Sequence, residues 1–445
     1  MVRLALKLTA WTEKYVPSAL VIACLLSAAA FVLAMGLAGK SLSQCIGYWG
    51  DGFWALSTFG MQMCLILMTG SLIASSPWAQ GRLDRLAGIP KTPRAAVVTL
   101  AAASLALAWL HWGVGLIASA FLVRSFVRRH PRVDYRLLVA VAYLGLGAVW
   151  HAGLSGSAPL LVATPNHFLA EQIGLVPLSQ TTFSAFNLAL TAVTALSLLA
   201  AAYLLYPERQ EDAVTAPEDA LNHFAQAERA EPIAGAPSRW LKFWEQSYAV
   251  NAAIGLAGAL WIIRDIRLNG MALTIDKVNF FFLILSFLLY PNPTAFSRSA
   301  EKASGYVHGI IIQFPIYAGI FGVIKGSGLD RIIGSWFVAV STKECFPLVV
   351  YWYSGLLNYF IPSGGSKWAI EAPYILEASR SLGVPFSKTV LAYAWGDMVT
   401  DMIQPFWCLP LLAVARLEFK DILGYELIVF LLCALIGSAA FLFFI

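Results

Sequence analysis

Two aspartates four residues apart, Asp397 and Asp401, stand in an otherwise apolar part of the sequence. On a helix this spacing places both carboxylates on one face, with Thr400 and Gln404 beside them. An aspartate at mid-membrane costs ~2.5–3.5 kcal/mol on insertion scales, so each needs a partner or a function. The functional interpretation is that the four residues bind sodium or carry a proton. The alternative is a satisfied ion pair, for example between Asp401 and Lys367.

A second group of candidates combines glycine and serine with a few larger side chains. Glycine lets a ligand approach the backbone closely, and helices that begin at such positions expose unpaired N–H groups. Such helix ends attract anions. Because only one formal cation lies near them, we expect a small monoanion such as a carboxylate. The candidate binding residues are His111, Trp112, Gly113, Gly115, Ser155, Gly156, Ser157, Asn358, Pro362, Ser363, Gly364, Gly365, Ser366 and Lys367.

The same serines allow a different chemistry, that of a hydrolase. Ser155 or Ser157 would be the nucleophile and His151, a few residues before them, the base. No acid stands where the sequence alone would orient that histidine, which leaves the constellation incomplete. A third possibility is an anion channel, since paired re-entrant loops also occur in channels.

The composition defines the elements that must hold these residues. The chain has 445 residues, 59% of them hydrophobic and only 12% charged, with a mean hydropathy of +0.71. These values exclude an ordinary soluble domain and indicate a polytopic helical membrane protein. The net charge of +5 is modest, and nothing indicates nucleic-acid binding. The six cysteines are scattered without metal-ligand spacing.

Nine apolar stretches are candidate membrane spans. The first is long enough to cross the bilayer and lacks a clear cleavage site, so we expect a retained span rather than a signal peptide. Basic residues before it place the N-terminus in the cytoplasm. The predicted spans are 16–37, 53–75, 137–165, 183–206, 246–263, 277–291, 303–325, 388–415 and 424–445.

Two further apolar pieces, 95–125 and 345–381, are broken in their middles. The arm from Phe346 to Ile361 has about sixteen residues and reaches roughly 24 Å, which is less than the ~30 Å hydrocarbon core. Arginines flank 95–125 on both sides, so that piece must enter and return from the cytoplasm. We therefore predict two re-entrant hairpins, the second entering from the opposite face.

The order of these features repeats within the chain. Phe59–Met63 resembles Ile310–Phe314, and in each half a hairpin tip follows after about fifty residues and a broken span after about forty-five more. The predicted fold class is therefore an all-α polytopic membrane protein with an inverted repeat, two re-entrant hairpins and two broken transmembrane helices, an arrangement typical of secondary transporters. The predicted repeats are 1–206 and 246–445, joined by a cytoplasmic linker, 207–245.

Several motifs resemble the bacterial short-chain fatty acid transporter family, part of the wider ion transporter superfamily. They are the stretches Gly153–Pro165, Trp49–Trp54, Phe59–Met63, Pro362–Gly365 and Gln404–Pro410. The resemblance implies a transport unit, roughly 95–206 and 345–445, that moves as an elevator. It also implies a scaffold, roughly 16–75 and 246–325, through which the protein forms a homodimer.

The resemblance also suggests where substrate and ion bind. It implies that Ser155, Gly156, Ser157, Trp112, Gly113, Ser363 and Gly364 line the sites. A sodium ion is expected near Ser155, Ser363 and Asp401, unless a proton takes its role. The expected function is symport of a short-chain acid such as butyrate or acetoacetate across the inner membrane, with no enzymatic activity and no cofactor beyond the coupling ion.

Overall fold

A computed structural model describes residues 17, 19–227, 238–404 and 406–445, and most of these residues are helical. The first half contains α1 (Ala19–Ala38), α2 (Leu42–Gly52), α3 (Ser57–Ser75), α4 (Pro77–Ala87), α5 (Pro93–Leu110), α6 (Trp112–Arg129), α7 (Tyr135–Ala148), α8 (Ser157–Val162), α9 (Ala170–Ile173) and α10 (Ala185–Leu204). Between the halves lie α11 (Glu218–Ala227) and α12 (Arg239–Gln246).

The second half repeats the order of the first. It contains α13 (Tyr248–Asn269), α14 (Ile275–Leu289), α15 (Pro293–Ser304), α16 (His308–Ser327), α17 (Leu329–Val340), α18 (Phe346–Phe360), α19 (Gly364–Leu382), α20 (Phe386–Val399), α21 (Leu409–Ala415) and α22 (Phe419–Phe443). Helix α3 begins at Ser57 and its counterpart α16 at His308, 251 residues later. The same interval separates α7, which begins at Tyr135, from α20, which begins at Phe386.

Two helix pairs form the predicted hairpins. Hairpin 1 consists of α5 and α6, which meet at His111, and hairpin 2 consists of α18 and α19, which meet at 361–363. Local sequence sets where the arms begin: Thr92 caps α5 by accepting the Ala95 N–H, and Pro93 stands at the first helical position. Helix α18 has 15 residues, about 22 Å at 1.5 Å per residue, so it is shorter than a membrane span.

Two other helices are interrupted where the sequence predicted breaks. Broken helix 1 consists of α7, a short 3₁₀ turn at Trp150–Ala152, and α8. Broken helix 2 consists of α20, 3₁₀ turns at Thr400–Ile403 and Phe406–Cys408, and α21. The fold class predicted from the sequence, an all-α membrane protein with two hairpins and two broken helices, is confirmed.

Eight stretches of the described helices are long and apolar enough to cross a membrane, or nine if broken helix 2 counts as one span. The multi-pass character is therefore confirmed. Helices α2 and α15 were not predicted from the sequence, and α14, with 15 residues, is shorter than an ordinary span.

Parts of the sequence argument lie outside the described residues. These are the basic N-terminal residues used for orientation, the linker residues 228–237, and Pro405 in broken helix 2. In the described part of the predicted linker lie α11 and nearly all of α12.

Candidate functional site

The tip of hairpin 1 is tied to the interruption in broken helix 1. The Trp112 N–H, at the start of α6, donates to Ser155 Oγ at 2.9 Å. The Leu154 N–H donates to the Trp109 carbonyl at 2.8 Å. His111 caps α6, because its Nδ1 accepts the Val114 N–H at 3.3 Å. These bonds satisfy backbone groups that the turn would otherwise leave unpaired.

The tip of hairpin 2 is also tied to broken helix 2, here by side chains that donate to carbonyls of the hairpin. The Tyr393 hydroxyl donates to the Gly364 carbonyl at 2.7 Å, and Trp407 Nε1 donates to the Pro362 carbonyl at 2.8 Å. Glycine is required at 364 because a Cβ there would lie 2.7 Å from Asp397 Oδ2 and from the Trp150 ring. Hairpin 2 therefore packs directly on both broken helices.

A cavity lies where the two tips and the two broken helices meet. The space between its lining atoms is about 470 Å³, which includes the part that is open to solvent. The walls combine helix starts from both hairpins, four large aromatic rings, and side chains of α3 and α16. The lining residues are Met63, Trp112, Leu146, Trp150, Ser157, Ile310, Phe314, Ser363, Gly364, Gly365 and Trp407.

A cluster of charged groups is buried beside this cavity. Lys367 Nζ lies 3.0 Å from Asp397 Oδ1 and 3.2 Å from Glu371 Oε1, and all three side chains are at most 1% exposed. The ammonium also donates to the Ser354 carbonyl at 2.9 Å and to its hydroxyl at 2.6 Å. It lies 4.4 Å from the centre of the Tyr393 ring. These contacts offset the cost of burying the cation.

A hydrogen-bonded chain connects this cluster to the cavity. Asp397 Oδ2 lies 2.8 Å from His151 Nδ1, and His151 Nε2 lies 3.0 Å from Ser157 Oγ. The Ala158 N–H also donates to Nε2, at 3.1 Å. The ring of His151 is completely buried and stacks on Trp150 with a centroid separation of 4.3 Å.

Asp401 has different partners from those suggested by the sequence. Its Oδ1 accepts from Asn358 Nδ2 at 2.8 Å and its Oδ2 from Trp150 Nε1 at 3.2 Å. The suggested ion pair between Asp401 and Lys367 is wrong, because Lys367 forms its ion pairs with Asp397 and Glu371. Two carboxylates one turn apart on broken helix 2 are therefore held by different groups.

The structure brings only some of the predicted site residues to the cavity: Trp112, Ser157, Ser363, Gly364 and Gly365. Asn358, Lys367, Asp397 and Asp401 lie in the buried polar network behind it. Thr400 joins that network by accepting from Asn358 at 3.1 Å and donating to the Gly355 carbonyl.

Other predicted residues have local roles or lie elsewhere. Ser155 holds the hairpin 1 tip, Ser366 bonds to the capping Ser363, and Gln404 accepts the Phe406 N–H. Gly113 packs close to the Ile66 carbonyl of α3. Gly115 packs on α5 at Ala108, Gly156 on the His151 carbonyl, and Pro362 accepts from Trp407.

His111 faces a second cavity rather than the first. That cavity is largely apolar and is lined by residues of hairpin 1, α13 and α14. The centre of the His111 ring lies 4.2 Å from the centre of the Phe282 ring. Contact between His111 and a ligand in the first cavity is therefore not part of this arrangement.

Sequence reasoning missed the acid that orients His151. Asp397 is 246 residues further along the chain, and no local pattern connects the two. It also missed Trp407 and Tyr393, which shape the cavity and the cation site, although Trp407 lies within a motif singled out for its resemblance. Within the described residues, no group of three or more His, Cys, Asp or Glu side chains could hold a metal ion.

Comparison with known proteins agrees with this architecture. A family model for short-chain fatty acid transporters matches residues 1–444. A protein of Escherichia coli K12 named as a short-chain fatty acid transporter is 36% identical over 423 residues, covering 95% of each chain. A protein of Haemophilus influenzae with the same name is 34% identical over 425 residues, covering 94% of each chain.

Two solved structures share the fold. The YdaH transporter of Alcanivorax borkumensis aligns with a TM-score of 0.60 at 16% identity, covering 96% of this chain and 98% of that one. MtrF of Neisseria gonorrhoeae aligns with a TM-score of 0.56 at 15% identity, covering 100% and 97%. At such low identity the likeness concerns the fold alone. The full-length family match and the two relatives show that this chain belongs to the short-chain fatty acid transporter family.

Proposed function

We propose that this protein is a secondary active symporter that imports short-chain monocarboxylates, such as butyrate or acetoacetate, across the bacterial inner membrane. The observation that carries the proposal is the cavity between the hairpin tips. There, Ser157 at the start of α8 and Ser363 before the start of α19 line one space.

The carboxylate is expected to bind at the helix starts. The first N–H groups of α19 have no partners further back in their own helix, and the helix dipole favours an anion there. In α8 only the Ser157 N–H remains for an anion, because the Ala158 N–H is bound to His151 and Pro159 has none. The Ser157 and Ser363 hydroxyls lie beside them as further polar groups of the cavity wall. Lys367 does not line the cavity but lies behind it, so its positive charge acts on the anion through space.

The rest of the cavity suits a short apolar tail. Trp112, Trp150, Phe314 and Trp407 surround the space, and they offer apolar contact on several sides. Enclosed apolar walls of this kind favour an acid whose tail fits and exclude acids that are much longer.

Movement of one unit past another would expose the cavity to each side in turn. We infer a transport unit of roughly 95–206 and 345–445. The scaffold, roughly 16–75 and 246–325, forms the homodimer contact. In support, Met63, Ile310 and Phe314 of the scaffold form one wall of the cavity, while the transport unit supplies the others. Asp397 and Asp401 are the candidate sites for the coupling ion, sodium or a proton.

A hydrolase is the second candidate, because Ser157, His151 and Asp397 have the order of nucleophile, base and orienting acid. The Ala158 N–H, however, also occupies the Nε2 lone pair, which weakens His151 as a base toward Ser157. Labelling of Ser157 by a serine-directed fluorophosphonate would support the hydrolase.

The third alternative, an anion channel, is tested by uptake kinetics. Saturable uptake with counterflow exchange would argue against a channel.

The main experiment measures butyrate uptake into proteoliposomes. Ser157→Trp and Ser363→Trp fill the cavity and are expected to abolish uptake while the protein still elutes as a single folded species. Ser335→Trp, at an exposed position on α17, is the matched control and should leave uptake unchanged. Uptake by the two cavity variants at the native rate would refute the site.

A further inference from the structure

The hydrogen-bonded chain from Asp397 through His151 to Ser157 connects a buried charge cluster with the substrate cavity. We propose that the coupling ion is a proton carried by His151, and that its arrival turns the Ser157 hydroxyl into a donor for the substrate carboxylate. This inference rests on the proposed function, specifies its coupling ion as a proton, and assigns that proton to His151, the partner of Asp397, in place of the two aspartates themselves.

The contacts of His151 fix which nitrogen carries its hydrogen when the ring is neutral. The Ala158 N–H can only donate, so Nε2 must accept and the ring hydrogen is on Nδ1. Nδ1–H then donates to Asp397 Oδ2 at 2.8 Å. Ser157, 3.0 Å from Nε2, donates its own hydrogen to the ring. In this state the serine offers only oxygen lone pairs to the cavity.

Protonation of His151 reverses the bond to Ser157. With a hydrogen on Nε2, the ring donates to Ser157 Oγ, because both nitrogens of the imidazolium are donors, and the Ala158 N–H loses its bond to Nε2. The serine hydrogen is then free to rotate into the cavity, where a carboxylate can accept it. A carboxylate is an acceptor only, so it binds poorly to the first state and well to the second.

The charges around His151 favour the same coupling. Asp397 contacts it directly, and Tyr393 lies edge-on to its ring with centroids 5.6 Å apart. On hairpin 2, Lys367 contacts Asp397, and Glu371 in turn contacts Lys367. Asp401, one turn after Asp397 on broken helix 2, is bound by Asn358 and Trp150, and no ion pair to it is formed among the described residues. One lysine thus faces three carboxyl groups, and an incoming anion needs an additional positive charge.

Lys367 also occupies the oxygen atoms that a sodium ion would need here. Its ammonium is bound by the Ser354 carbonyl and hydroxyl, Asp397 Oδ1 and Glu371 Oε1. In this structure a cation that belongs to the chain thus takes these ligands. The proton balance is simple: a proton from water at the open face joins His151, and it leaves on the other side together with the acid.

The test is calorimetry of butyrate binding to the purified protein in buffers of different ionisation enthalpy. The native protein should take up a proton, approaching about one per butyrate as the pH rises above the usual His range near 6.5, with or without sodium. His151→Gln should bind butyrate without proton uptake. His308→Gln, at an exposed position, is the matched control and should keep the native proton count.

Each outcome decides something. Binding by the native protein without proton uptake, or unchanged uptake in His151→Gln, would overturn the proton proposal while leaving the transporter intact. Failure of the native protein to bind any short-chain acid would instead overturn the proposed function. If His151→Gln does not fold, Ser157→Ala serves in its place, since removing the switch should abolish the pH dependence of butyrate affinity.

Discussion

The junction of hairpin 1 with broken helix 1 and that of hairpin 2 with broken helix 2 occupy corresponding places in the repeat but differ in chemistry. In the first, one serine hydroxyl and backbone groups hold the tip. In the second, Lys367, Asp397 and Asp401 are buried together with Asn358 and Thr400. The comparison teaches that the repeat duplicates helix starts around a cavity, whereas charge is concentrated in one half.

His151 is the point at which the two halves meet chemically. It belongs to the first half, yet its partner Asp397 belongs to the second. The uncharged junction thus contributes a group that can gain a charge, and the charged junction stabilises it. A substitution at one junction should therefore change the stability of the protein by a different amount from the corresponding substitution at the other junction.

The largest effect is expected from Lys367→Met. The variant leaves Asp397 and Glu371 buried without their cation, and breaking a buried ion pair costs ~3–5 kcal/mol. We expect a large fall in melting temperature in detergent and loss of folded protein. Lys343→Met, at an exposed position, should stay within about 0.5 kcal/mol of the native protein.

A second substitution, Asp397→Asn, sharpens this prediction. Added to Lys367→Met, it removes one of the stranded carboxylates, so the double variant should recover part of the lost melting temperature. If Lys367→Met is as stable as the native protein, the charged cluster does not stabilise the second junction and the contrast between the halves fails.

An intermediate effect is expected where the junctions can be compared bond by bond. Asn358→Leu removes donors to Asp401 and Thr400 and leaves a buried carboxylate short of a partner. Ser155→Ala removes a single acceptor for the Trp112 N–H. Unsatisfied buried groups cost ~1–3 kcal/mol each, more if charged, so Asn358→Leu should lower the melting temperature more. Equal losses would contradict the comparison.

The smallest effect is expected at the base of hairpin 1, outside the membrane. The hydrogen bond from Arg129 at 2.8 Å lowers the pKa of Asp84, but the two side chains are 43% and 48% exposed. Asp84→Asn should therefore cost less than about 1 kcal/mol. Because the pKa of Asp84 is lowered in the folded protein, its charged form stabilises the fold at pH values above the unfolded pKa of ~3.9. This stabilisation is lost as the pH falls through the pKa that Asp84 has in the folded protein.

Melting curves of Asp84→Asn and the native protein, recorded from neutral pH downward, check the sign. The difference between them should be largest near neutrality and shrink toward acid. A difference that grew in acid would show that Arg129 does not hold this carboxylate in its charged form.

The elements of the fold were accessible from the sequence. Apolar runs, a short arm ending in Pro362–Gly365, and the Ser155–Ser157 break identified the hairpins and the interruption, because each depends on residues close together in the chain. Helices α2 and α15 escaped because they are short and lack an apolar run long enough to cross the bilayer.

The sequence alone therefore determined most of the helices, the hairpins, their repetition, and the fact that buried carboxylates in broken helix 2 required partners. Only the tertiary structure decided which partners they have. It turned His111 toward a second cavity, paired Lys367 with Asp397 and not Asp401, and placed Asp397 behind His151. These pairings join separate helices, so they depend on how the helices pack, which no spacing along a single helix records.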